Sequence, residues 1–210
     1  MILETLVSTC DAAERPNLAP MGPIVDDDWE CQPGNIPQFT LRPFDGSTTS
    51  ANLRTTGRAV IHFSSDAGLF ADAVMNRLSA DRLAELLMPT RRGFPPRMIR
   101  CERYFVVELV DRDAPVDEIG RRRLRCRVVE SDVVDPPRPL NRAAAAVIEA
   151  AILSTRLHLL SADHVREEIE RLSVAVDKTG GVMTTAAFER LRIYVDQSIN
   201  ASETFTSETR

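Results

Sequence analysis

Lysine is almost missing from this sequence. Of its 26 basic residues only Lys178 is not arginine. Such a bias fits oxyanion recognition by planar guanidinium groups, although genomic nucleotide bias is its commoner origin. Histidine and cysteine are also scarce, at 3 and 4 residues. Cys10, Cys31, Cys101 and Cys126 lie far apart, with no Cys-x-x-Cys and no His-x3-His. This excludes a zinc finger or a disulfide framework encoded in spacing and predicts reduced thiols in a cytoplasmic protein, with no metal. His164 and Glu167 are three residues apart and read as a helix-surface pair.

Long apolar runs are absent too. The most apolar stretch, Ala143 to Leu153, is short and interrupted by Glu149, and Glu4 stands where a signal peptide needs a basic flank. Neither export nor membrane association is expected. A net charge of −5, with 43% hydrophobic and 27% charged residues, describes an ordinary globular chain and disfavours nucleic acid as a partner. No Gly-x-Gly-x-x-Gly, Gly-x4-Gly-Lys-Ser/Thr, Gly-x-Ser-x-Gly or His-Glu-x-x-His occurs. The Rossmann dehydrogenase, P-loop, α/β-hydrolase and zincin readings lose their usual support.

Two regions of different composition remain. The first two-thirds hold most of the proline and glycine together with β-type runs, at residues 2–9, 18–25, 39–42, 57–64, 99–113 and 121–134. Six strands with irregular connections predict a barrel, with short helices at 66–75 and 79–88 plugging or flanking it. Arg121, Arg123, Arg125 and Arg127 alternate with Leu124, Cys126 and Val128, which predicts one wet and one buried strand face. After Pro136-Pro137-Arg138-Pro139 the pattern becomes helical. Asn141, Ser161 or Asp163, and Thr184 or Thr185 are candidate helix starts, with Gly180 and Gly181 ending the middle helix. The expected division is a barrel domain at 1–135, a helical subdomain at 136–200 and a flexible tail at 201–210.

Two segments could carry chemistry. Arg42 to Arg54 (RPFDGSTTSANLR) places hydroxyls, a turn glycine and two arginines after a strand. That is the donor set a phosphate needs, the more so if Thr49 or Ser50 opens a short helix, although turn formers and an N-cap would read the same. Asn17-Leu18-Ala19-Pro20-Met21-Gly22 reads as an edge strand interrupted by proline. Its unpaired backbone groups could face the polar edge of a planar ligand while Met21 touches the ligand's apolar face. The acidic loop around Trp29 reads as a surface connector.

Taken in order, these segments resemble the flavin reductase-like FMN-binding split-barrel superfamily, and within it a family with a helical carboxyl-terminal part. The matching pieces are Glu4 to Thr9, Asn17-x-Ala19-Pro20-Met21-Gly22, Phe39-x-Leu41-Arg42-Pro43-Phe44, Ser47-x-Thr49-x-x-Asn52-Leu53 and Ala59 to Phe63, followed by Asn141-Arg142-Ala143, residues 148–152, Thr155-Arg156-Leu157 and Lys178-Thr179-Gly180-Gly181. The resemblance implies an α+β fold, a split β-barrel of the FMN-binding type with a C-terminal helical subdomain, assembled as a homodimer with FMN as cofactor. Carried over by position, Arg42, Ser47, Thr48, Thr49 and Asn52 would hold phosphate or ribityl. Ala19, Pro20, Met21 and Gly22 would line the ring, and Phe44 could shield it. The superfamily commonly has a lysine in the Ser/Thr loop where this chain offers only arginine. An FMN-dependent oxidoreductase is the expected activity, with a nicotinamide or another small molecule as redox partner. A flavin-sequestering protein and a cofactor-free interaction protein are the alternatives. No catalytic dyad is legible.

Overall fold

The computed structural model describes residues 1–27, 29 and 35–208, with side chains through Ala201. It divides into two compact units, residues 1–64 with 78–137, and residues 65–77 with 138–210.

The first unit is built on six antiparallel strands: β1 (Thr5–Cys10), β2 (Pro16–Met21), β3 (Thr40–Leu41), β4 (Arg58–Phe63), β7 (Arg103–Leu109) and β8 (Leu124–Val133). They lie in the order β2-β1-β4-β7-β8-β3. Just beyond β2, Ile24 exchanges two backbone hydrogen bonds of 2.9 Å with Thr40 of β3, so the two edges are tied together and the sheet curls into a barrel. Its inner face buries Val7, Leu41, Ala59, Ile61, Phe105, Val107 and Leu124. Phe39, Phe63 and Phe105 meet edge-on or tilted at 5.0 to 6.3 Å, with Trp29 against Phe63. A two-residue hairpin, β5 (Leu87–Met88) with β6 (Arg97–Met98), completes the strands. Two helices, α1 (Thr48–Thr56) and α3 (Ala80–Leu86), also belong to this unit.

The second unit consists of α2 (Ala67–Val74), α4 (Arg142–Ser154), α5 (Ala162–Thr179) and α6 (Val182–Glu208). The expected stripes form its core: Val165, Ile169, Leu172 and Val176 of α5 and Phe188, Leu191, Val195 and Ile199 of α6 are buried with the alanine-rich face of α4. Asn141 and Ser161 are the N-caps of α4 and α5, accepting from Ala144 N and His164 N. Asn141 Nδ2 also donates to the Thr179 carbonyl at 3.1 Å, and Thr179 Oγ1 accepts from Ala143 N at 3.1 Å. Two separate stretches of the family-like pattern are thus one joint between helices. Among the described residues no helix is long and apolar enough to cross a membrane.

The barrel with a helical part agrees with the expectation, and all six expected strands are present. Several details differ. The helix expected at 66–75 groups with the C-terminal helices instead of the barrel. The helix expected at 79–88 stops at Leu86, where Leu87 turns extended to pair with Met98. The strand expected from Arg121 begins at Leu124, although Arg123, Arg125 and Arg127 are exposed and Leu124 and Cys126 buried as the alternation requires. Helix α6 begins at Val182 and runs through residues 201–208, beyond the point expected to fray. Asp28, Glu30 and Cys31 lie outside the described residues.

Candidate functional site

Helix α1 shapes the hydroxyl-rich segment. Ser47 is its N-cap, one residue earlier than Thr49 or Ser50, and its hydroxyl is fully engaged, donating to Phe44 O at 2.7 Å and accepting from Ser50 N at 3.1 Å. Gly57 ends the helix in the left-handed conformation, at φ 69°, with its N–H on Leu53 O. A Cβ there would collide with the guanidinium of Arg112, which itself donates to Thr55 O at 3.2 Å. The helix is fixed to the barrel by two side-chain bonds, Asn52 Nδ2 to Thr9 Oγ1 at 3.1 Å and Asn17 Nδ2 to Thr49 Oγ1 at 3.2 Å. Thr49 and Asn52 are therefore buried and partnered, whereas Thr48 is exposed. The amides of Thr48 and Thr49, in the first turn, have no acceptor within the helix. Space around Gly46 is open.

Among the described residues, two atoms of this segment are buried with no hydrogen-bond partner. Ser50 Oγ is one and Arg42 Nε is the other. A buried polar group left this way costs about 1 to 3 kcal/mol, so native proteins rarely tolerate it without a reason. Among the described residues the ionic contact of Arg42 is its NH2 group to Asp117 Oδ2, at 3.4 Å.

The loop between β3 and α1 leans on a turn at residues 114–122 that the sequence reading did not connect with it. Asp45 N donates to Gly120 O at 2.9 Å, Arg122 N to Pro43 O at 3.1 Å, and Arg122 Nε to Asp45 Oδ1 at 2.6 Å. The Arg122 hydrogen bond holds the Asp45 carboxyl below the usual range. Phe44 is bridged to Arg121, whose guanidinium carbon lies 4.3 Å from the centre of the Phe44 ring. One face of that ring is thus occupied, although Phe44 remains 54% exposed. Asp117 organises the turn, accepting at Oδ1 from Arg121 N at 2.8 Å and Ile119 N at 3.2 Å. Chiefly the Arg121 amide, and secondly Arg42, keep its carboxyl below the usual range.

Strand β2 is an edge of the six-stranded order, as its prolines required. Pro16 and Pro20 have no N–H, so they occupy positions facing away from β1; Leu18 and Pro20 then turn backbone oxygens, and Leu18 its amide, to the open edge. Thr5 Oγ1 takes the Met21 carbonyl at 2.8 Å, and the Met21 side chain packs on the barrel's inner cluster. Ala19 pairs with Val7 and shares that inward face. Gly22 lies against Ile2, where a Cβ would clash. The two candidate segments are joined through Asn17 with Thr49, and the chain just outside them through Ile24 with Thr40. All ten candidate residues thus stand on one frame, with Met21 turned inward and Ser47, Thr49 and Asn52 already bonded.

His62 is fully buried in β4. Its Nδ1–H donates to Leu6 O at 3.0 Å and its Nε2 accepts from Met98 N at 3.1 Å. Burial pushes its pKa down to about 4, so the ring is neutral and structural. Among the described residues no group of His, Cys, Asp and Glu could hold a metal ion.

Comparison with known proteins agrees with this architecture. Residues 3–135 match the family model for the N-terminal domain of DUF447, a protein of unknown function, and residues 141–193 match the DUF447 model that follows it. An FMN-bound DUF447 protein from Methanosarcina mazei is similar at 20% identity over 91% of this chain and 93% of that one, with a TM-score of 0.74. The flavin reductase HpaC, complexed with NADP+, is similar at 12% identity over 66% of this chain and 83% of that one, with a TM-score of 0.51. At these identities the shared feature is the fold, the flavin reductase-like split barrel. Because the first family model alone spans more than half of its residues, the chain belongs to the DUF447 family.

Proposed function

We propose that the protein binds FMN as a cytoplasmic homodimer and acts as a flavin reductase-like oxidoreductase. The observation that carries the reading is the cradle at the start of α1, where among the described residues Arg42 Nε, ahead of the helix, and Ser50 Oγ, in its first turn, are buried without partners and Thr48 is exposed. A phosphate monoester fits this donor set. It brings about −1.5 to −2 of charge and several acceptor oxygens, and the cradle supplies a guanidinium, hydroxyls and first-turn amides. Arg42, Thr48 and the amides of Thr48 and Thr49 would hold the phosphate. Ser47, Thr49 and Asn52 keep the cradle in shape through the bonds they already make. The ring would lie along Ala19 to Gly22, with the outward groups of Leu18 and Pro20 facing its polar edge and Phe44 over it.

Bound FMN would supply the hydride or electron chemistry, and the protein its position and electrostatic surroundings. The apolar side chains left exposed beside the cradle, Phe44, Val116 and Ile119, support a second copy as partner. The comparison with an NADP+-complexed flavin reductase makes a nicotinamide the first donor to try. The test is titration of the purified protein with FMN, followed by anaerobic addition of NADH or NADPH. The expected outcome is stoichiometric binding and bleaching of the flavin absorbance. Binding without bleaching by any small reductant would favour the sequestering protein.

A further inference from the structure

The cradle contains two arginine–aspartate pairs of opposite character. Arg122 and Asp45 are closed on each other: the pair is 2.6 Å apart, and Arg122 NH1 also donates to Ala114 O at 2.7 Å. Arg42 and Asp117 are not. Their contact is 3.4 Å, at the long limit of a hydrogen bond, and among the described residues Arg42 Nε has no acceptor. Asp117, by contrast, is anchored independently of Arg42, because Oδ1 already receives the amides of Ile119 and Arg121.

We propose that Asp117 is an exchangeable counter-charge for Arg42, holding the guanidinium in the cradle and yielding it to the phosphate when a phosphorylated ligand binds. Asp117 is thus a positioning residue that sets how strongly the site discriminates a phosphate monoester from the same ligand without phosphate. This rests on the FMN reading above. Arg42 has a poor partner and an unmet donor, and a dianion offers it a better one. The carboxylate remains behind on its two amides, so the turn at 114–122 need not rearrange. The same carboxylate opposes the incoming dianion, and its removal strengthens binding of the phosphate alone.

Asp117→Asn tests this, because the amide keeps an oxygen for Ile119 N and Arg121 N while losing the charge. Glu118→Gln, in the same turn and exposed, controls for general loss of negative charge. FMN and riboflavin are titrated into each by fluorescence quenching. Asp117→Asn is expected to bind FMN about three- to tenfold more tightly than Glu118→Gln does, with riboflavin affinity the same in both. In wild-type protein, followed by carboxyl carbon NMR, the Asp117 pKa is expected to rise when FMN binds; this readout stands if the variant fails to fold. Equal FMN affinity in the two variants, a change shared by riboflavin, weaker FMN binding in Asp117→Asn, or an Asp117 pKa that FMN does not move would overturn the exchange. Wild-type protein that ignores FMN would overturn the underlying reading as well, and the two failures are told apart by that wild-type titration.

Discussion

Two polar joints of this molecule look alike in sequence and differ in how completely they are bonded. At the helical joint, Asn141 caps α4 through Oδ1 and reaches Thr179 O through Nδ2, while Thr179 Oγ1 accepts from Ala143 N and donates to Ala175 O. Every side-chain group named there is used within the chain. At the cradle, Ser47, Thr49 and Asn52 each make side-chain bonds, yet among the described residues Arg42 Nε and Ser50 Oγ have no partner. Polar residues in a family-like motif therefore do not by themselves mark a binding site. What the cradle adds is an unmet donor inside such a motif, since burying it is unfavourable unless something else completes it.

The largest effect should come from a saturated group outside both joints. His62 is neutral in the fold, with its pKa lowered from 6.5 to about 4. The unfolded chain takes up the proton first, so stability is full above about pH 6.5 and is lost as pH falls toward 4. The loss is about 3 kcal/mol, to be read from urea midpoints across that range. His62→Leu should be less stable at neutral pH, because Leu6 O and Met98 N lose their partner, and should flatten this pH dependence. A wild-type profile already flat between pH 4 and 6.5 would show that the buried ring is not the titrating group.

Next in size, Arg42→Ala should weaken FMN binding by about ten- to a hundredfold, the worth of one charged hydrogen bond. Its melting temperature should be nearly unchanged, because the pair it loses is long. Asn141→Ala should do the reverse, costing about 0.5 to 2 kcal/mol of stability with FMN affinity intact. The comparison between joints breaks if either variant behaves like the other. The smallest effect is expected from Thr48→Ala, a few-fold loss of FMN affinity with riboflavin unaffected, consistent with one neutral hydrogen bond.

Much of the fold was legible because its signals are local. Ser79, Asn141 and Ser161 announce their helices as N-caps, and the apolar spacing of α5 and α6 matches the residues that are buried. The alternation after Arg121 likewise separates Arg125 and Arg127 from Leu124 and Cys126. What could not be read is long-range. Arg42 and Asp117 are 75 residues apart, and Asp45 and Arg122 77 apart, with no periodicity to couple them. The two-residue strands at Leu87 and Arg97 are too short for a pattern. The assignment of α2 to the helical unit depends on which surface receives Ala67 and Ala71, which local propensity does not encode. In the cradle the hydroxyl run hid where the short helix starts, since serine and threonine serve turns and caps alike. Only the bonding then separated Ser47, which closes the cap, from Thr48, which remains exposed.

The central claim is that the cradle recognises a phosphate, and it is tested most directly by the ratio of FMN to riboflavin affinity in wild-type protein. The account predicts FMN binding at least about tenfold tighter, since the two ligands differ only in the group that Arg42 and the first turn of α1 would hold. Equal affinities, or no binding of either, would contradict it.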